Sequence, residues 1–299
     1  MPELISFSHC PACNSESVYP ALSAKDYTVS GELFEIWHCD DCSLRFTQSI
    51  PAADKIGAYY QSAGYISHSD TAKGLINRLY HFVRTHSLQT KRKLLQQATG
   101  KQKATLLDIG AGTGAFVHTM KQAGWEVTGL EPEENARKVA FDKYGIQLVS
   151  PDHLFQLGKA SLDAITLWHA LEHVHDLHGY FEQFYYLLKR GGSLVIAAPN
   201  YTSYDAKAYK EYWAAYDVPR HLYHFSPKSM ELLGDVKGFW LADSKPMWFD
   251  SFYVSMLSEK YRHESGNLIG ALWNGLLSNI KAIFNKESSS SVIYIFTKK

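Results

Sequence analysis

The sequence has no excess of charge: 30 lysines and arginines are matched by 30 aspartates and glutamates over 299 residues. A balanced chain lacks the basic footprint that a nucleic-acid backbone requires, so no nucleic-acid partner is expected. There is no run of about 18 apolar residues, which excludes a membrane-crossing helix. Nor is there a basic start followed by an apolar stretch, as in a secretion signal. A cytoplasmic location is the resulting expectation. Cysteine is scarce and confined, with all four residues inside the first 42. What remains is an ordinary globular composition, 45% hydrophobic and 20% charged, long enough for one large domain or two modest ones. Aromatic residues are plentiful at 14%, which suits either a pocket for a flat or sugar-like ligand or an aromatic-rich core.

The cysteines form two pairs, Cys10-Pro-Ala-Cys13 and Cys39-Asp-Asp-Cys42. Each C-x-x-C turn aims two thiolates at one point, and two such turns complete a tetrahedral metal site. Residues 18–39 alternate apolar and polar side chains around Ser30-Gly31, reading as short strands joined by a turn. This is the arrangement of a zinc ribbon, a closed four-thiolate site whose role is structural. Two disulfides would conflict with a reducing compartment. A redox pair predicts a single C-x-x-C inside a βαβ unit. His9 and His38 each precede a cysteine and offer substitute ligands, but four thiolates suffice.

From residue 104 the pattern becomes strands alternating with helices. The predicted strands are 104–110, 125–131, "IQLVS" (146–150), 162–168 and 193–200, with helices at 114–124, 133–145 and 180–192. This rhythm predicts an α/β, doubly wound, mostly parallel sheet that binds ligands beyond the C-terminal ends of its strands. The loop after the first strand, Asp108-Ile-Gly110-Ala-Gly112-Thr-Gly114-Ala115, lets backbone approach a ligand and opens a helix whose first amides are free. As G-x-G-x-x-A it fits a nicotinamide-dinucleotide oxidoreductase; as D-x-G-x-G-x-G it fits a methyltransferase. Glu131, at the end of the second strand, suits a ribose in either case.

Several ordered motifs separate the two. "LLDIGAGTG", "VTGLEPEENARK" and "LDAITLWHALEHVHDLHGYFEQFYYLLKRGGSLVIAAPN" together resemble the successive motifs of class I S-adenosylmethionine-dependent methyltransferases. "DVPRHLYHFS" (217–226) resembles a segment of the group that joins such a domain to an N-terminal zinc ribbon and includes sugar C-methyltransferases. The likeness covers roughly residues 8–50 and 104–245, and it implies a Rossmann-like, seven-stranded methyltransferase sheet. It gives Gly110, Gly112 and Gly114 the methionine half of the cofactor, Asp108 its amino group, and Glu131 the ribose hydroxyls. Asp152, after the third strand, is the expected adenine contact. The sugar C-methyltransferases carry a further C-terminal domain for which this chain leaves no room, so their nucleotide-sugar substrate is not carried over. The terminal "VIYIFTKK" matches the reversed last strand of the class I fold, inserted beside the sixth strand (239–249), and disfavours the oxidoreductase.

Methyl transfer to a hydroxyl or carbon acid needs a base, and histidine serves near neutral pH. His169 sits just past the fourth strand, beside the expected donor, and is a candidate both for catalysis and for cofactor contact. His221 and His224 lie downstream and are the leading candidates for the base, because a histidine in that segment has this role in the sugar methyltransferases. Arg220 lies in the same segment, which crosses the same rim, and reads alternatively as a tie between a loop and a carboxylate. The spelling His169-x-x-Glu172-His173 is also that of inverted zincin peptidases, but it begins at a strand end instead of within a long helix, which demotes that reading.

The expected organisation is a zinc ribbon at 1–50, a helical linker or cap at 51–103, and the methyltransferase domain at 104–299 with a helical insertion near 250–285. Tyr59, Tyr60, Tyr65 and His68 in the cap are candidate contacts to cofactor or substrate. Residues 267–284 are apolar around most of a helix and read as a packed lid, a homodimer face or a membrane-surface contact. The acceptor is a small molecule: a sugar, a hydroxylated aromatic or a quinone precursor. A non-catalytic module that only binds the cofactor is the third function class.

Overall fold

The computed structural model describes residues 4–61, 75–263 and 266–299, with the side chains of 75–84 set aside. Tyr65 and His68 lie outside the described residues. The N-terminal part holds β1 (Leu4–Ile5), β2 (Val18–Lys25), β3 (Leu33–Cys39), β4 (Arg45–Thr47) and β5 (Ile50–Pro51). Helix α1 (Leu75–Thr99) leads into β6 (Thr105–Ile109), α2 (Ala115–Gln122), β7 (Glu126–Leu130), α3 (Glu134–Tyr144), β8 (Leu162–Trp168), α4 (Leu177–Leu187) and β9 (Leu188–Pro199). Then follow α5 (Tyr204–Tyr209), β10 (Tyr223–His224), α6 (Pro227–Val236), β11 (Phe239–Pro246), α7 (Asp250–Arg262), α8 (Leu268–Phe284) and β12 (Ser291–Lys298).

The main sheet has the order β11-β12-β9-β8-β6-β7. Strands β6, β7, β8 and β9 are parallel, as βαβ crossovers require, and β12 runs antiparallel to both β9 and β11. The strand expected at 146–150 is reduced to one parallel bridge, Leu130 to Val149, so the described sheet has six strands. The apolar strand β8 is buried from Leu162 to Leu167, consistent with a central strand covered on both faces. The C-terminal ends of the four parallel strands, at Ile109, Leu130, Trp168 and Pro199, form one rim.

The ribbon is not closed on itself. Its sheet, β10-β4-β3-β2, takes its fourth strand from Tyr223–His224 of the main domain. Thr47 fixes this seam: its amide donates to the Leu222 carbonyl at 2.9 Å and its hydroxyl to the His221 carbonyl at 2.8 Å. The expected ribbon and the segment carrying the candidate histidines therefore share backbone pairing.

Helices α7 and α8 stand between β11 and β12. Small residues of α8, including Ala271, Gly275 and Ser278, are buried, and a Cβ on Gly275 would lie 2.7 Å from the Phe252 ring. Close packing there leaves the large side chains outside: Ile269, Trp273, Ile283 and Phe284 are all exposed. No helix among the described residues is long and apolar enough to cross a membrane.

Candidate active site

The rim above β6 is built by the glycine loop. Gly110, Gly112 and Gly114 have φ of +73°, +54° and +76°, conformations that L side chains rarely adopt. Two of them are also tightly packed: a Cβ on Gly110 would lie 2.7 Å from the Ala170 Cβ, and one on Gly114 2.9 Å from the Ala140 Cβ. At Gly112 a Cβ would meet nothing within 4 Å, so this glycine faces open space. Its amide donates to Glu131 Oε2 at 2.7 Å, while Glu131 Oε1 accepts from the Glu133 amide at 3.0 Å. The acid at the end of β7 thus pins the loop that follows β6. Burial raises the Glu131 carboxyl, and the two amides oppose that shift.

Asp108 is buried and accepts the Thr166 hydroxyl at 2.6 Å. Burial pushes it up to about 7, against the pull of Thr166 and Lys91. Lys91, on α1, lies 4.3 Å over the Trp168 ring. Burial pushes it down to about 8. Nothing in the sequence singled out this lysine, because its segment reads only as a helical linker or cap. Asp152 is exposed beyond the Leu130–Val149 bridge and accepts the Ser150 hydroxyl at 3.1 Å.

Past β8 the chain turns sharply, with His169 at φ +56°. The His169 imidazole lies between carboxylates: Nδ1 is 3.4 Å from Glu172 Oε1 and Nε2 is 4.0 Å from Asp250 Oδ2. Burial alone would lower it, but Asp250 and Glu172 raise it above the ordinary histidine value. Residues Leu171–His173 form a 3-10 turn, not a helix, so His169 and His173 do not share a helical face. The downstream segment closes over this turn, with the Leu222 amide bonded to the Glu172 carbonyl at 2.8 Å.

Glu172, His173 and His221 come together there, with one ligand-type atom of each within 4.8 Å of the others. The two imidazoles meet edge to face, ring centres 4.7 Å apart. Tyr60 adds its hydroxyl 3.0 Å from His173 Nδ1. Burial, with His221 alongside, pushes His173 down to about 4. Sequence reading placed His221 at this rim. It passed over Glu172 and His173 once the peptidase motif was dropped, although an acid–histidine pair just past a central strand was a signal in its own right.

His224 and Arg220 face elsewhere. His224 is buried with Nε2 3.0 Å from the Thr47 hydroxyl and its ring edge-on to Tyr216. Burial drives it well below the ordinary histidine value. Arg220 is buried with a two-point pair to Asp217 (2.7 and 3.1 Å), a contact to Asp26 and another to the Tyr59 carbonyl. The tie to a carboxylate is therefore its position. His175 is half-buried with Nε2 3.1 Å from the Pro51 carbonyl.

The four cysteines converge at the other end of the ribbon. They are free thiols, with sulfurs 3.4 Å apart for Cys10–Cys42 and 3.6 Å for Cys13–Cys39, all four within 4.8 Å. A tetrahedral zinc with bonds of about 2.3 Å spaces its sulfurs by about 3.8 Å, so the donor set fits that ion. The two turns are built alike: Asn14 and Ser43 take φ of 60° and 63°, and their amides donate to the Cys10 and Cys39 carbonyls at 2.9 Å.

A family model described as a methyltransferase domain matches residues 81–242, more than half of the chain. An uncharacterized methyltransferase of Alkaliphilus oremlandii is 28% identical over 127 residues, 40% of this chain and 56% of the relative. A demethylmenaquinone methyltransferase of Tropheryma whipplei is 28% identical over 134 residues, 43% of this chain and 54% of the relative. The chain thus spans about half the length of these curated relatives. The 1,6-didemethyltoxoflavin-N1-methyltransferase of Burkholderia thailandensis, solved with S-adenosylhomocysteine, shares the fold with a TM-score of 0.51. It is 15% identical and covers 88% of this chain and 98% of its own. Together with the glycine loop, Glu131 and the reversed β12, these matches place the chain in the methyltransferase-domain family, with the class I fold.

Proposed function

We propose that the protein transfers a methyl group from S-adenosylmethionine to an oxygen-bearing small molecule held at Glu172, His173 and His221. The carrying observation is the open Gly112 surface, pinned to Glu131 and joined through the Gly110–Ala170 contact to the turn bearing His169 and Glu172. In this reading Gly110, Gly112 and Gly114 hold the methionine half of the cofactor. Asp108 takes its amino group, Glu131 the ribose hydroxyls, and Asp152 the adenine edge. Bound there, the cofactor supplies an electrophilic methyl on a cationic sulfur.

His169 stands between the loop and the acceptor cluster, and we assign it the acceptor's proton. His221 is assigned to holding the acceptor. His224, locked to Thr47 and Tyr216, is assigned to the ribbon seam instead of to catalysis. Cys10, Cys13, Cys39 and Cys42 are assigned one structural zinc. A hydroxylated aromatic or quinone precursor is favoured as acceptor: Met247, 3.3 Å from His169, leads into the exposed Trp248 and Phe249, and one relative is a demethylmenaquinone methyltransferase. The apolar outer face of α8 supports self-association as a homodimer.

The test is an acceptor screen with methyl-labelled cofactor. His169→Ala and His221→Ala should each lower turnover by about a hundredfold or more, with S-adenosylhomocysteine affinity kept. Turnover unchanged in both variants would remove these histidines from the reaction.

A further inference from the structure

Glu172 is fully buried, and among the described residues neither of its side-chain oxygens has a hydrogen-bond partner. A buried carboxylate without donors is costly unless something positive meets it. His169 Nδ1 stands 3.4 Å from Oε1, an ion pair when that ring is protonated, which leaves Oε2 with no partner among the described residues. The buried Arg220 is engaged by Asp217, Asp26 and the Tyr59 carbonyl.

The two histidines beside Glu172 do not supply a donor either. His173 Nδ1 lies 3.0 Å from the Arg220 carbonyl, and His221 Nδ1 lies 2.8 Å from the Ala215 carbonyl. A carbonyl only accepts, so each Nδ1 carries a proton, the Tyr60 hydroxyl also lying 3.0 Å from that of His173, and in a neutral ring Nε2 is then the ligand atom. Asp217 Oδ2, 3.9 Å from His221 Nε2, is itself an acceptor. Two imidazoles and a carboxylate therefore converge, one ligand-type atom of each within 4.8 Å of the others. Backbone carbonyls orienting Nδ1–H are also what fixes the tautomer of a metal-ligating histidine.

From this convergence we propose that Glu172, His173 and His221 form a second metal site, distinct from the four cysteines, for a divalent transition-metal ion. Two imidazoles and one carboxylate on one side leave coordination positions open on the other. Resting on the acceptor reading above, the ion binds the acceptor's oxygen there. The acceptor O–H gives its proton to His169, the oxygen forms a bond to the methyl carbon, and the sulfur–methyl bond breaks with its electron pair left on sulfur. The products are the methyl ether and S-adenosylhomocysteine.

The site is tested by titrating cobalt(II) into the full chain with its ribbon loaded with zinc, followed by calorimetry and absorption. One equivalent should bind, with weak visible bands and no thiolate charge-transfer band. Glu172→Gln and His221→Ala should each weaken binding by at least about tenfold. Uptake of no cobalt by the wild-type chain overturns the proposal, whatever the variants do. So does uptake that carries a thiolate band or survives both substitutions. S-adenosylhomocysteine binding, measured on the same samples, separates the two failures: cofactor bound without cobalt sinks the metal site alone, whereas cobalt bound without cofactor sinks the methyl-transfer reading.

Discussion

Arg220 Nη2 lies 2.9 Å from Asp26 Oδ1, across 194 residues of sequence. Asp26 caps the turn between β2 and β3, accepting the amides of Thr28, Val29 and Ser30. Arg220 precedes His221, and its carbonyl faces the His173 ring. One buried ion pair thus couples a turn of the ribbon to both histidines of the cluster. Asp26→Asn should cost about 2 kcal/mol, the order of a charged hydrogen bond. It should also lower turnover, with S-adenosylhomocysteine affinity within about twofold of wild type. Denaturant melts, kinetics and calorimetry on one variant check all three.

The glycine loop yields a contrast between two positions. Gly112→Ala introduces a Cβ that meets nothing, at a strained φ worth about 1 kcal/mol. Its stability loss should be small and its S-adenosylhomocysteine affinity at least about tenfold lower, since the methyl intrudes where backbone meets ligand. Gly114→Ala should reverse the order, because its Cβ would collide with Ala140. Thermal melts beside ligand titrations distinguish them.

Asp163 sits at the opposite end of β8 from the site. It takes Lys101 at 2.6 Å, Lys189 at 3.1 Å, and the Thr105 amide and hydroxyl. Burial would raise it, but these partners hold it well below the usual carboxylate range. A depressed folded pKa contributes stability above the unfolded value, near 4, and loses it as pH falls. Asp163→Asn should therefore lower stability by about 1–2 kcal/mol at pH 7, and the gap to wild type should close on acidification below pH about 3. Urea melts at several pH values read this directly.

Metal analysis of chain purified without chelator should find zinc at the four cysteines, and Cys39→Ser should lose it. Because β4 also pairs with β10, that variant should weaken the His221 segment as well. Zinc absent from the wild-type chain would remove the ribbon assignment.

The sheet was legible because its signals are local: apolar runs ending in Asp108 and Glu131, and glycines at helix stops. The edge strand at 146–150 was over-read, since an apolar alternation does not say how far the neighbouring strand extends. The cysteine pairs were legible because spacing alone defines such a turn. The Glu172–His173–His221 cluster was not, because it needs Leu222 bonded to Glu172 and Thr47 clamping residues 221–222, contacts between distant segments. The place of His224 in the ribbon seam was not legible for the same reason: its spacing from His221 says nothing of the ribbon strand it pairs with. Likewise the apolar circumference of α8 did not say which side makes the contact: its small residues do, and its large ones face out.

The central claim is that the Gly112–Glu131 rim binds S-adenosylmethionine. Calorimetry of the purified chain with S-adenosylhomocysteine and, separately, with a nicotinamide dinucleotide tests it most directly. The account predicts one equivalent of S-adenosylhomocysteine bound, weakened at least about tenfold by Glu131→Ala, and no dinucleotide binding. Dinucleotide binding with no S-adenosylhomocysteine binding would contradict it.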